Sequence, residues 1–155
     1  MSVLPAGSDV PRFTLRREDG EPFTRDDLAG KTTVLVFYPA AFSSVCTDQF
    51  QIYQEVLEDL AAQGAVLYGV SIDQTDSQVA FRESMGVTIE MLSDAVPQAA
   101  ATRAFGVLFE PTGVSNRALV IVGPELTVLW SWEGEHPGML PGANLIFDGL
   151  AGARS

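Results

Sequence analysis

Apolar residues fall into two rhythms along the middle of this chain. Thr32-Thr33-Val34-Leu35-Val36-Phe37-Tyr38 is a continuous β-branched and aromatic run closed by Pro39, the pattern of a central strand buried on both faces of a sheet. From Val45 to Gln63 the interval changes. Cys46, Phe50, Tyr53, Leu57 and Leu60 recur at helical spacing, Ser43 or Ser44 can cap the start, and Gly64 supplies a stop. Ala65 to Ile72 is again apolar. Strand, helix and strand at these lengths make a right-handed βαβ unit with parallel strands, and a sheet with helices on both faces follows.

The flanking segments complete an α/β pattern. Pro11-Arg12-Phe13-Thr14-Leu15 alternates like a half-buried strand, and Asp19-Gly20 is a turn signal, so an N-terminal β-hairpin is expected. A helix is predicted from Ser77 to Met85 with Gly86 as its stop, a strand from Ile89 to Leu92, and a short helix from Pro97 to Phe105. Arg117 to Val122 and Thr127 to Trp132 read as two strands close enough for an antiparallel pair, and Ala143 to Leu150 as a last helix. Parallel and antiparallel pairs together predict a central mixed β-sheet flanked by helices. Trp130 and Trp132, two apart on one strand, face the same side, where core packing is the simplest role. No repeat or linker interrupts the pattern, so one domain over residues 1–155 is expected.

Composition narrows the function classes. With 46% hydrophobic against 19% charged residues the chain describes a compact globule. No apolar run approaches the roughly 18 residues of a membrane span. Met1 to Val10 lacks the basic and apolar regions of a secretion signal, which makes a cytoplasmic protein with no membrane partner the expectation. A net charge of −11, with Lys31 the only lysine and no basic cluster, argues against nucleic acid as a partner. Among so few cations Arg117 stands out at the head of Ala118-Leu119-Val120-Ile121-Val122, where an unpaired guanidinium is costly to bury and a partner is expected. The single histidine, His136, sits in the turn sequence Glu135-His136-Pro137-Gly138, and with one cysteine leaves no metal site of the usual kind. No cofactor is called for.

Cys46 is the only cysteine and falls in the first turn of the predicted helix. Unpaired N–H groups and the helix dipole there favour thiolate over thiol. A buried packing sulfur is the plainer alternative. The context of the residue separates the two. Pro39 to Cys46 follows the pattern P-x-x-x-T/S-x-x-C, with Ser43 in the hydroxyl slot. Arg117 opens a late strand, Gln49 lies three residues beyond the cysteine, and Pro11-Arg12-Phe13 with Gly20, Met91-Leu92-Ser93-Asp94 and Phe105-Gly106-Val107 surround them. In these features the chain resembles the peroxiredoxins along nearly its whole length.

The resemblance implies a thioredoxin-like fold and a thiol-dependent peroxidase reducing hydrogen peroxide or organic hydroperoxides. The Cys46 thiolate attacks the O–O bond and becomes a sulfenic acid while water or an alcohol leaves. Arg117 is the expected partner of the thiolate, Ser43 supplies a hydroxyl that accepts from the peroxide, and the N–H groups of Val45 and Cys46 face the attacked oxygen. Pro39 walls the site from water, and Gln49 orients Arg117. The resolving position five residues after the cysteine in one branch of the family is Gln51 here. The arrangement is that of a one-cysteine peroxiredoxin, similar to the AhpE and bacterioferritin-comigratory groups, recycled by an external thiol or redox protein. A glutaredoxin-like monothiol oxidoreductase and a redox sensor without turnover remain the alternatives. Phe42, apolar in the loop before the helix, points to a homodimer contact.

Overall fold

A computed structural model of the chain describes residues 3–153. The first elements are β1 (Thr14–Arg16) and β2 (Pro22–Thr24), an antiparallel hairpin with Leu15 opposite Phe23 and both side chains buried. It turns at Asp19-Gly20 as expected, where Gly20 adopts a positive φ and donates its amide to Arg17. A 3-10 turn at Arg25–Leu28 leads into β3 (Thr32–Phe37). Then come α1 (Ser44–Glu55), α2 (Leu57–Ala62) and β4 (Ala65–Ser71). After them lie α3 (Thr75–Met85), ended by Gly86 in the left-handed conformation, and β5 (Glu90–Ser93). The second half holds α4 (Ala100–Ala104), the ribbon of β6 (Leu108–Phe109) and β7 (Val114–Ser115), the antiparallel pair β8 (Ala118–Val122) and β9 (Val128–Glu133), and α5 (Ala143–Ala153).

One seven-stranded sheet runs β2-β1-β5-β4-β3-β8-β9. Its β5-β4-β3 section is parallel and the remaining pairs are antiparallel, the mixed sheet that the pattern predicts. Alternation along β3 divides the core in two. Val34 and Val36 join Phe50, Phe81, Leu119, Ile121 and Ile146 on one face, while Leu35 and Phe37 join Leu15, Phe23, Phe105, Val120 and Val128 on the other. Gly69 in β4 leaves room on the first face, since a Cβ there would collide with the Met91 sulfur and press on the Phe50 ring beneath α1.

Two helix boundaries differ from the sequence reading. The helix expected from Val45 to Gln63 breaks at Val56, whose φ of −110° and ψ of 8° end α1 and restart the chain as α2. The restarted helix places Leu60 in the core against β4. The helix expected from Pro97 starts at Ala100, because the Asp94 carboxylate gathers the amides of Ala101 and Thr102 and the Thr102 hydroxyl. Burial raises the Asp94 carboxyl above its ordinary range against the pull of those hydrogen bonds. The helices also divide unevenly. Buried residues of α1, α2, α3 and α5 pack on one face of the sheet, and α4 shares the other with the N-terminal hairpin.

Candidate active site

The parallel ladder of β3 and β4 extends one bond past the strand, from the Tyr38 amide to the Val70 carbonyl, and the chain leaves the sheet at the buried Pro39. It then turns through Ala41 and Phe42 into α1. Phe42 takes φ = 67°, in the left-handed region a bulky residue seldom enters, stays 56% exposed, and sets its ring 5.4 Å from that of Phe81. Ser43 caps α1. Its Oγ accepts the Cys46 amide at 3.2 Å, and its carbonyl accepts both the amide and the hydroxyl of Thr47. Val45 and Cys46 thus lie in the first turn, with Cys46 fully buried in the core cluster that contains Tyr38 and Phe50.

Ala118 lies opposite Phe37, so Arg117, one residue before β8, reaches the end of the sheet from which α1 departs. The side chain is 1% exposed. Its Nη1 donates to Gln49 Oε1 at 2.7 Å, and its Nε to the Pro137 carbonyl at 2.5 Å. Gln49 continues the chain by donating to the Tyr53 hydroxyl, which donates to the Pro141 carbonyl. Burial pushes the Tyr53 hydroxyl up to about 12, against the effect of Gln49 and the Arg117 charge, so it remains a proton donor. Every one of these partners is neutral. The ion pairs found among the described residues, Arg17 with Glu90 and Arg82 with Glu18, involve other arginines.

Sequence reasoning placed Cys46, Ser43, Val45, Pro39, Gln49 and Arg117 in this region, and the fold brings Gln49 and Arg117 into direct contact. The Cys46 amide, expected to face the attacked oxygen, is instead directed at Ser43 Oγ in this state. His136 is exposed in its turn, with Nδ1 accepting the Gly138 amide. Trp130 and Trp132 pack against the cluster that contains Cys46. The sequence reading missed Tyr53, the Pro137 carbonyl, and Asp73, which accepts the Ala41 amide at 2.8 Å. A backbone carbonyl carries no residue signature. Asp73 had one: it follows the carboxyl end of a parallel strand, where α/β sheets assemble their sites.

A buried cysteine in the capped first turn of the helix after an inner strand of a mixed sheet defines a thioredoxin-like thiol protein. Residues 6–131 match the AhpC/TSA family. The chain belongs to that family, the peroxiredoxins, and is a thiol-dependent peroxidase. It is 27% identical to alkyl hydroperoxide reductase E of Mycobacterium tuberculosis over 150 residues, 96% of this chain and 97% of that one. Alkyl hydroperoxide reductase C of Amphibacillus xylanus is 33% identical over 131 residues, 81% of this chain and 69% of that protein. Among solved structures, Enterococcus faecalis AhpC superposes with a TM-score of 0.88 at 26% identity, covering 99% of this chain and 93% of its own. Peroxidoxin BcpB of Mycobacterium tuberculosis gives 0.81 at 26% identity, covering 97% of each chain.

Proposed function

We propose that Cys46 is the nucleophile of the peroxidase and that Arg117, Ser43 and Pro39 form its site, with Gln49 and Val45 supporting. The observation that carries this reading is the Arg117 guanidinium, buried without a carboxylate and held by a glutamine one turn beyond Cys46 on α1. An uncompensated buried cation is costly unless an anion shares its surroundings, and a thiolate in the first turn of α1 is that anion. The thiolate sulfur attacks one peroxide oxygen and the O–O bond breaks. The departing oxygen takes a proton and leaves as water or an alcohol, and sulfur is left as a sulfenic acid. Charge grows on the departing oxygen in the transition state, and on this reading the guanidinium, the Ser43 hydroxyl and the Val45 amide stabilise it.

The sequence holds no second cysteine, so the sulfenic acid is reduced by an external thiol or redox protein. We assign residues 1–155 to one catalytic domain that works as a homodimer in the cytoplasm. Its exposed Phe42 supports the dimer, and a lone unpaired thiol suits a reducing compartment.

Stopped-flow mixing of the reduced protein with hydrogen peroxide and an organic hydroperoxide, read by tryptophan fluorescence with mass-spectrometric trapping of the sulfenic acid, tests the reading. Oxidation several orders of magnitude faster than that of free cysteine is expected, with turnover once thiol is supplied in excess. Ser43→Thr should keep the rate and Ser43→Val should lose about 10²-fold. A parent protein no faster than free cysteine sinks the reading, while fast oxidation without turnover favours a sensor. The dimer is checked by sedimentation at micromolar concentration, where a monomer would remove that assignment.

A further inference from the structure

We propose that Asp73 is a positioning residue for the chemistry at Cys46, a proposal that rests on the peroxidase reading above. Its carboxylate pins the turn between β3 and α1 without touching the reacting atoms.

The turn needs such a pin. Between Pro39 and the cap at Ser43 the chain passes through Phe42 at φ = 67°. A bulky residue is disfavoured there, so the surroundings must hold the conformation. The residue just before it, Ala41, donates its amide to Asp73 Oδ2 at 2.8 Å across 32 positions of sequence. Asp73 is itself held at three of its atoms. Its Oδ2 also accepts the Ser71 hydroxyl at 2.7 Å, and its amide donates to Ser71 Oγ at 3.3 Å. Ser71 Oγ accepts Gln78 Nε2 from α3 at 2.9 Å, and the same nitrogen donates to the Leu92 carbonyl. The Asp73 carbonyl accepts Ser93 Oγ. The turn before the cysteine is thereby tied to the ends of β4 and β5 and to α3.

Hydrogen bonding separates this role from an electrostatic one. Asp73 Oδ2 meets the Ala41 amide and the Ser71 hydroxyl, and the ion pairs found among the described residues involve other carboxylates. What Asp73 contributes is an oxygen atom at one place. Replacing the charge while keeping that oxygen should therefore cost nothing, and keeping the charge while moving the oxygen should cost much.

The experiment compares Asp73→Asn, Asp73→Glu and Asp73→Ala with the parent protein. Each is measured for oxidation of Cys46 by hydrogen peroxide and, at the same pH, for alkylation by iodoacetamide, which needs a thiolate and access but no peroxide geometry. Asparagine keeps an acceptor for the Ala41 amide and should react with peroxide within about threefold of the parent. Glutamate and alanine should lose about 10²-fold on peroxide, the scale of an ångström misplacement. Their alkylation should stay within about threefold. Should the alanine variant fail to fold, the asparagine and glutamate pair carries the comparison alone. Peroxide rates near the parent's in both glutamate and alanine variants overturn the proposal, as does a parallel fall for the two reagents. A parent no faster than free cysteine sinks the peroxidase reading and this one with it, whereas a fast parent with unresponsive variants sinks this one alone.

Discussion

Two regions of this molecule handle arginine in opposite ways. At the outer end of the sheet Arg17 meets Glu90 at 2.8 Å and Arg82 meets Glu18 at 2.8 Å, all four side chains partly exposed and each cation matched by a carboxylate. Those pairs link the hairpin of β1 and β2 to α3 and β5. Glu18 holds Arg82 and also accepts the Met91 amide, so its contribution is to docking the hairpin. Even there burial pushes the Glu90 carboxyl above its ordinary range, against the pull of Arg17. At the start of α1 the guanidinium of Arg117 is buried and meets an amide oxygen and a backbone carbonyl. The partners fix its orientation and leave its charge uncancelled. In an acidic chain of net charge −11 a carboxylate was easily available. On the proposed reading, the difference separates a cation that serves docking from one whose charge is kept for the Cys46 thiolate.

The sharpest way to break this comparison is Arg117→Met, which keeps much of the volume and removes the charge. Oxidation of Cys46 by peroxide should fall by about 10²- to 10³-fold, the loss typical of one donor to a developing oxyanion. The melting temperature should fall only modestly, because relief from burying the charge offsets part of the cost of leaving Gln49 Oε1 and the Pro137 carbonyl without a donor. A large loss of stability with little loss of rate would place Arg117 in the same class as Arg82. Gln49→Leu comes next. It leaves Nη1 of Arg117 without its acceptor, so the peroxide rate should drop about 10-fold. Denaturant titration should show a cost of about 1–3 kcal/mol for the orphaned donor. A variant that keeps both rate and stability would mean that the glutamine orients nothing. The smallest effect belongs to Glu18→Gln. It should cost about 1 kcal/mol or less, shrink further in high salt, and leave the peroxide rate unchanged. A slower reaction would show that the hairpin edge communicates with Cys46.

The extent to which the sequence revealed the site follows the range of each interaction. Ser43 as a cap and Cys46 in the first turn depend on three residues of spacing, and local signals suffice for them. Gln49 and Arg117 are 68 positions apart, and their pairing was expected through the family resemblance. The Tyr53 hydroxyl reaches the Pro141 carbonyl across 88 positions, and Arg117 Nε ends on the Pro137 carbonyl. Acceptors of this kind are backbone atoms that any residue would provide, so no side chain advertises them. Asp73 carried a signal from its place after a parallel strand, but an ambiguous one. An aspartate after a strand reads as an ordinary turn residue until the fold places Ala41 beside it.

The same division runs through the fold. Alternation and helical period determined the strands β3, β4, β8 and β9, the N-terminal hairpin, and the mixed character of the sheet, because the burial of each element is written in its own period. Tertiary structure decided where the helix after Cys46 would break, since Val56 is unremarkable until Leu60 must meet the core against β4. It decided that α4 begins at Ala100, where the Asp94 carboxylate is buried against the first amides. It also decided that Arg117 would face neutral oxygens. Period and capping act over one turn or one strand, whereas the partner of a buried charge depends on which distant segments the sheet brings together.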